Sequence, residues 1–176
     1  KPLKWLIDIF VWIIRGTPLM LQLIIIFYGP GLWLGTNVWG GSEASRITAT
    51  VVAFTINYAC YFSVIFRGGI QGVPAGQREA GEVLGMTKSQ IFFKVTLLQM
   101  IKRIVPPMSN EIITLVKDTS IAFTVSYQEM FTIGKQIANS QTSFVPFVVA
   151  GVFYYVLNFV VDRVMGRVEK RLDYYQ

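Results

Sequence analysis

Of 176 residues, 53% are hydrophobic and 15% charged, with a formal net charge of +6, a balance that places the chain among membrane proteins before any motif is read. Histidine is absent and Cys60 is the single cysteine, which excludes Ser-His and Cys-His catalysis, a disulfide within the chain and a cysteine-based metal site. The basic residues do not gather with aromatics on a soluble face, so the charge does not point to nucleic acid. Instead, 13 of the 16 Lys and Arg fall in segments 1–15, 67–103 and 163–171. That asymmetry is the positive-inside pattern and assigns those segments, with the carboxyl terminus, to the cytoplasmic side. Arg46 and Lys135 are left outside and Lys117 within the membrane.

Residues 1–16 (KPLKWLIDIFVWIIRG) set Lys4, Asp8 and Arg15 around an apolar stretch too short to span, with Trp5 and Trp12 suited to an interface. They read as a cytoplasmic interfacial or lead-in helix. A span follows over 18–34, where Gln22 is the clear polar interruption. Thr17 can cap its free backbone donors, and Pro18 suits the first helical position, where a missing N–H costs nothing. The glycine-rich stretch YGPGLWLGTNVWGGSEAS reads as an outer loop with aromatic anchors. Residues 47–66 are free of charge and bounded by Arg46 and Arg67, the strongest span.

RGGIQGVPAGQRE then reads as a turning cytoplasmic loop. A short helix over 79–84 is stopped by Gly85 as a left-handed cap. MTKSQI restarts a helix with a capping box between Thr87 and Gln90 and a staple of Met86 onto Ile91. This second helix runs toward Val105 and is expected to end at Pro106 and Pro107. PPMSNEIITLVKDTSIAFTVS is long enough to cross but interrupted by Lys117 and Asp118, charges that are expensive at membrane depth. Residues 144–161 form a further uncharged span, and EKRLDYYQ a basic helical tail. The whole is expected to be one transmembrane domain, 1–176, with a cytoplasmic loop over 67–106 carrying a short helix at about 77–85.

Two constellations stand out. In EAGEVLG, Ala80 and Gly81 offer a side where another backbone could approach closely, with Glu79 and Glu82 near a helix start. The stretch is either a solvated linker or a helix that docks into a groove. In NEIITLVKDTS, residues Asn110, Thr114, Lys117 and Asp118 share roughly one side of a helix. They form either a self-neutralising pair that fixes packing or, with Thr119 and Ser120, a polar lining or gate of a path. Asn57, in mid-span, adds a hydrogen-bonding group to that path or serves packing.

EAGEVLG followed by VTLLQ resembles the Glu-Ala-Ala, three residues, Gly, nine residues, Ile-x-Leu-Pro signature of permease subunits of ATP-binding cassette importers. RGTPLMLQL, NYACYFSVIFRGGIQGVPAGQREA, PPMSNEIITLVKDTSIA and VEKRL extend the resemblance to the polar amino acid uptake permeases over nearly the whole chain. Gly81 stands for the second Ala, Val95 for the Ile, and Leu98 for the Pro, which removes an expected kink. The resemblance implies an all-α integral membrane bundle of the type I importer permease kind, with four spans here and a fifth, amino-terminal one preceding them.

It further implies a coupling helix, with Glu79, Ala80, Gly81 and Gly85, seated on a separate ATPase. Two such ATPase subunits would bind ATP and magnesium. A second permease, identical or homologous, and an extracytoplasmic amino-acid-binding protein would complete the assembly in a bacterial plasma (inner) membrane. The chain itself has no G-x-x-x-x-G-K-[ST] phosphate loop, so it carries no cofactor and is not an enzyme in this reading. A secondary carrier or channel would fit the spans and leave the signature unexplained. A membrane enzyme using Asp118 and Glu111 lacks a second well-placed carboxylate.

Overall fold

A chain with this many apolar residues must satisfy its backbone internally wherever it meets lipid, and it does so with helices. The computed structural model describes residues 2–36 and 38–172, and among them there is no strand. The order is α1 (Pro2–Gly16), α2 (Leu19–Leu34), α3 (Glu43–Gln71), α4 (Ala75–Val83), α5 (Lys88–Ile91), a π turn (Phe92–Thr96), α6 (Leu97–Asp118), a 3-10 segment (Thr119–Val125), α7 (Met130–Gln141) and α8 (Val145–Leu172). Among the described residues two helices, α3 and α8, are long and apolar enough to cross a membrane. A third span is counted if α1 and α2, bent by 106° at their break, are taken as one.

Contacts divide the chain into two compact units, Lys1–Tyr61 with Leu115–Leu157, and Phe62–Thr114 with Asn158–Gln176. The first has its core in Leu23, Ala53 and Val125, against which Ile26, Phe27, Ile121 and Tyr127 pack. In the second, α3 and α6 approach through glycine. A Cβ at Gly69 would collide with Ile104, and one at Gly72 would lie 2.9 Å from the Arg103 guanidinium.

Three sequence expectations are corrected here. Thr17 does not open α2: its hydroxyl donates to the Ile13 carbonyl at 3.0 Å and so closes α1, while Pro18 stands just before the first helical residue as N-cap. The stretch expected as an outer loop from Tyr28 stays helical to Leu34 and stops at Gly35, whose φ of 65° is left-handed. Pro30 inside α2 cannot donate to the carbonyl of Ile26, and the Trp39 indole N–H supplies that bond instead at 2.7 Å. Finally, α6 does not end at Pro106 and Pro107 but contains both. Each deprives a carbonyl four residues back, those of Lys102 and Arg103, yet both prolines lie on an exposed side, where a freed carbonyl can find another donor.

Candidate functional site

The charged stretch between α3 and α6 is built from strong local signals. Pro74 takes the N-cap of α4, as suits a residue with no N–H to offer. At the other end Gly85 has φ 73°, its N–H donates to Glu82 O at 3.0 Å, and the Met86 N–H donates to Gly81 O at 3.0 Å. That pair of bonds is a complete Schellman closure. After the turn, Thr87 Oγ1 accepts from the Gln90 N–H while Gln90 Oε1 accepts from the Thr87 N–H, the reciprocal box that starts α5.

Helix α4 thus covers Ala75–Val83 rather than beginning at Glu79. The early start places Glu79 in mid-helix and Glu82 in the last turn, so the expectation that both sit near a positive helix start is wrong. Glu82 instead pairs with Arg78 one turn back at 3.3 Å, on the surface. Glu79 and Ala80 are exposed, while Gly81 is buried. A Cβ on Gly81 would stand 2.8 Å from Ile91 Cγ1, so glycine here lets α4 close onto α5. The tip beyond is apolar and bare, with Val83 87% and Leu84 78% exposed.

The polar constellation of α6 is arranged differently from a self-neutralising pair. Asp118 is half-buried, and Oδ2 accepts from the hydroxyl of buried Tyr58 at 2.9 Å. Lys117 is exposed, and among the described residues it forms no ion pair with Asp118. Thr114 and Thr119 are exposed as well. The Thr119 hydroxyl donates to Val116 O and the Ser120 hydroxyl to Lys117 O, each three residues back.

Asn57 is 5% exposed and does not meet this group through its amide donor. Its Nδ2 donates to Gln22 Oε1 at 3.0 Å, and Gln22 Nε2 in turn donates to Ile14 O, Thr17 O and Thr17 Oγ1. This buried chain ties the bend between α1 and α2 to α3, an arrangement that satisfies carbonyls released where one helix stops. Tyr58 was not singled out with Asn57 by its spacing, because the bond that defines it reaches 60 residues along the chain.

Comparison with known proteins places this architecture. Residues 1–174 match the family model of the binding-protein-dependent transport system inner membrane component. The chain is 38% identical over 177 residues to the L-cystine transport system permease protein TcyB of Bacillus subtilis (strain 168), covering 99% of this chain and 73% of that protein. It is 32% identical over 173 residues to the arginine transport system permease protein ArtQ of the same organism, covering 98% and 76%. A crystal structure of an amino acid ABC transporter with histidines superposes with a TM-score of 0.81 at 30% identity, over 97% of this chain and 77% of that one. An all-helical chain with membrane-length α3 and α8 and this match along its length belongs to the family of inner membrane components of binding-protein-dependent transport systems.

Proposed function

We propose that this chain is the permease subunit of an ATP-driven importer for a polar amino acid. It forms half of a translocation path with a second permease, identical or homologous. An extracytoplasmic binding protein delivers the solute, and two separate ATPase subunits bind ATP and magnesium. The bent α1–α2 pair, α3, α6 with its 3-10 extension, and α8 provide four spans, with residues 67–106 and the carboxyl terminus in the cytoplasm of a bacterial cell and the protein in its inner membrane. ATP favours the closed ATPase pair, and closure carries the α4 segments together and changes the side to which the path opens. Two relatives named for L-cystine and arginine transport support an amino acid as cargo. Asp118, Lys117, Thr114, Thr119 and Ser120 are the polar groups that serve the path. Asn57 serves it by holding the α1–α2 bend in place.

The observation that carries this reading is the Schellman-closed α4 with its bare Val83–Leu84 tip in an otherwise charged stretch. Two exposed apolar side chains on a rigid turn suit a groove on a protein partner. Replacing both, Val83→Asp with Leu84→Asp, leaves the chain inserted in the membrane because neither side chain packs within it. The ATPase should then no longer co-purify and ATP-dependent uptake should be lost. An ATPase that remains bound to this variant at the normal ratio removes the coupling assignment.

A further inference from the structure

The 3-10 segment Thr119–Val125 is seven residues long, whereas 3-10 runs beyond three or four residues are uncommon and often mark a hinge. It continues α6 directly after Asp118. Its own hydroxyls favour the tight winding: Thr119, Ser120 and Thr124 each donate to the carbonyl three residues back. Its far end stops at Ser126, left-handed at φ 57°.

Three other helices hold this segment. From the first turn of α3, Arg46 Nη1 donates to Val125 O at 3.2 Å and to Ser126 O at 3.0 Å. From α2, the Tyr28 hydroxyl donates to Thr124 O at 3.4 Å. From α7, Lys135 Nζ lies 5.4 Å from the centre of the Phe123 ring. Arg46 and Lys135 are the two cations that the charge pattern leaves outside, and both are spent on the same seven residues. An open cavity of about 370 Å³ lies beside the clamp, lined by Tyr28, Gly40, Gly41, Arg46, Val125 and Ser126 among others, so the end of the segment has room to move.

We propose that Thr119–Val125 is an extracytoplasmic gate of the path and that Arg46 is the positioning residue that holds it in the 3-10 form. Rewinding seven residues from a 2.0 Å to a 1.5 Å rise shortens the segment by about 3.5 Å and turns its far end by about 140°. That motion carries Ser126 away from the Arg46 guanidinium, so the clamp and the wound state hold or fail together. The word gate rests on the permease reading given above; the clamp itself does not.

The test is thiol accessibility in intact cells that carry the whole transporter. Ala122 is 3% exposed at the centre of the segment, and Ala122→Cys in a Cys60→Ser chain is read with a membrane-impermeant maleimide. Labelling is slow with Arg46 present. Arg46→Gln raises the rate roughly tenfold by removing a charged donor from two carbonyls, and Arg46→Lys, which keeps the charge and loses the planar fork, falls between. A parallel Arg46→Gln chain with Ala122 and the buried native Cys60 reports on integrity. Unchanged labelling at Ala122→Cys while Cys60 stays protected overturns the gate. If Cys60 becomes reactive, Tyr28→Phe combined with Lys135→Gln decides in its place: faster labelling supports the gate and unchanged labelling overturns it. Uptake is not the readout, so a chain that labels as expected yet moves no amino acid would remove the cargo assignment alone.

Discussion

Tyr58 gives Asp118 a neutral hydrogen-bond donor where a cation would have been the obvious partner. An amide at the same place still accepts from Tyr58, so Asp118→Asn keeps the local bond and removes only the charge. Removing one charge does not strand the other, because among the described residues Lys117 and Asp118 do not pair. If Asp118 serves the path, Asp118→Asn should assemble at normal membrane levels and lose at least tenfold in uptake. Tyr58→Phe should cost about 1 kcal/mol of stability and lower uptake less. Normal uptake by Asp118→Asn would assign the residue to packing. Lys117→Met should likewise leave assembly intact, since among the described residues the exposed ammonium holds no ion-pair partner.

At the scale of elements, α4 and α5 form one small tertiary unit whose junction is Gly81 against Ile91. Ile91 is β-branched and stiff, so a methyl group added at position 81 displaces side-chain and backbone atoms together. Gly81→Ala should therefore destabilise the purified protein by about 1 to 3 kcal/mol, despite alanine's better helix propensity. Ile91→Ala alone should cost more, about 2 to 5 kcal/mol. The double variant should cost clearly less than the sum, because each change relieves the other; additive thermal shifts in detergent would show that the contact is not the reason for glycine. The caps on either side of this junction were legible in the sequence because each is closed by residues within five positions. The start of α4 was not, since Pro74 looks like loop until the helix is seen to begin directly after it. Pro106 and Pro107 misled for a related reason: a proline states which bond is missing, and says nothing of whether the surroundings tolerate the loss.

For the whole molecule, charge and hydropathy made the all-helical membrane architecture readable, and the long-range ties were not. Asn57 with Gln22, Tyr58 with Asp118 and Arg46 with Val125 join residues 35 to 79 positions apart, and no local pattern predicts which polar group meets which. Among the described residues only 6% of the membrane-length window of α8 is buried. The proposed topology is checked by cysteine labelling in a Cys60→Ser background. Ser42→Cys should react with an impermeant reagent added to intact cells, whereas Ser89→Cys should react only after the membrane is opened. Labelling of Ser89→Cys from outside would invert the map.

Trp39 acts as a surrogate amide for Pro30, and this makes the two positions conditional on one another. With proline at 30, the indole N–H meets a carbonyl that its own helix has abandoned, and phenylalanine at 39 leaves that oxygen bare. Once Pro30→Ala restores the backbone donor, the carbonyl is served from within α2 and the indole loses its purpose there. Tolerance at 39 is thus epistatic on 30: a tryptophan that looks indispensable in this chain becomes replaceable in any descendant that first sheds the proline. The reverse order of changes would pass through a less stable intermediate, so the path by which these positions can drift is directional.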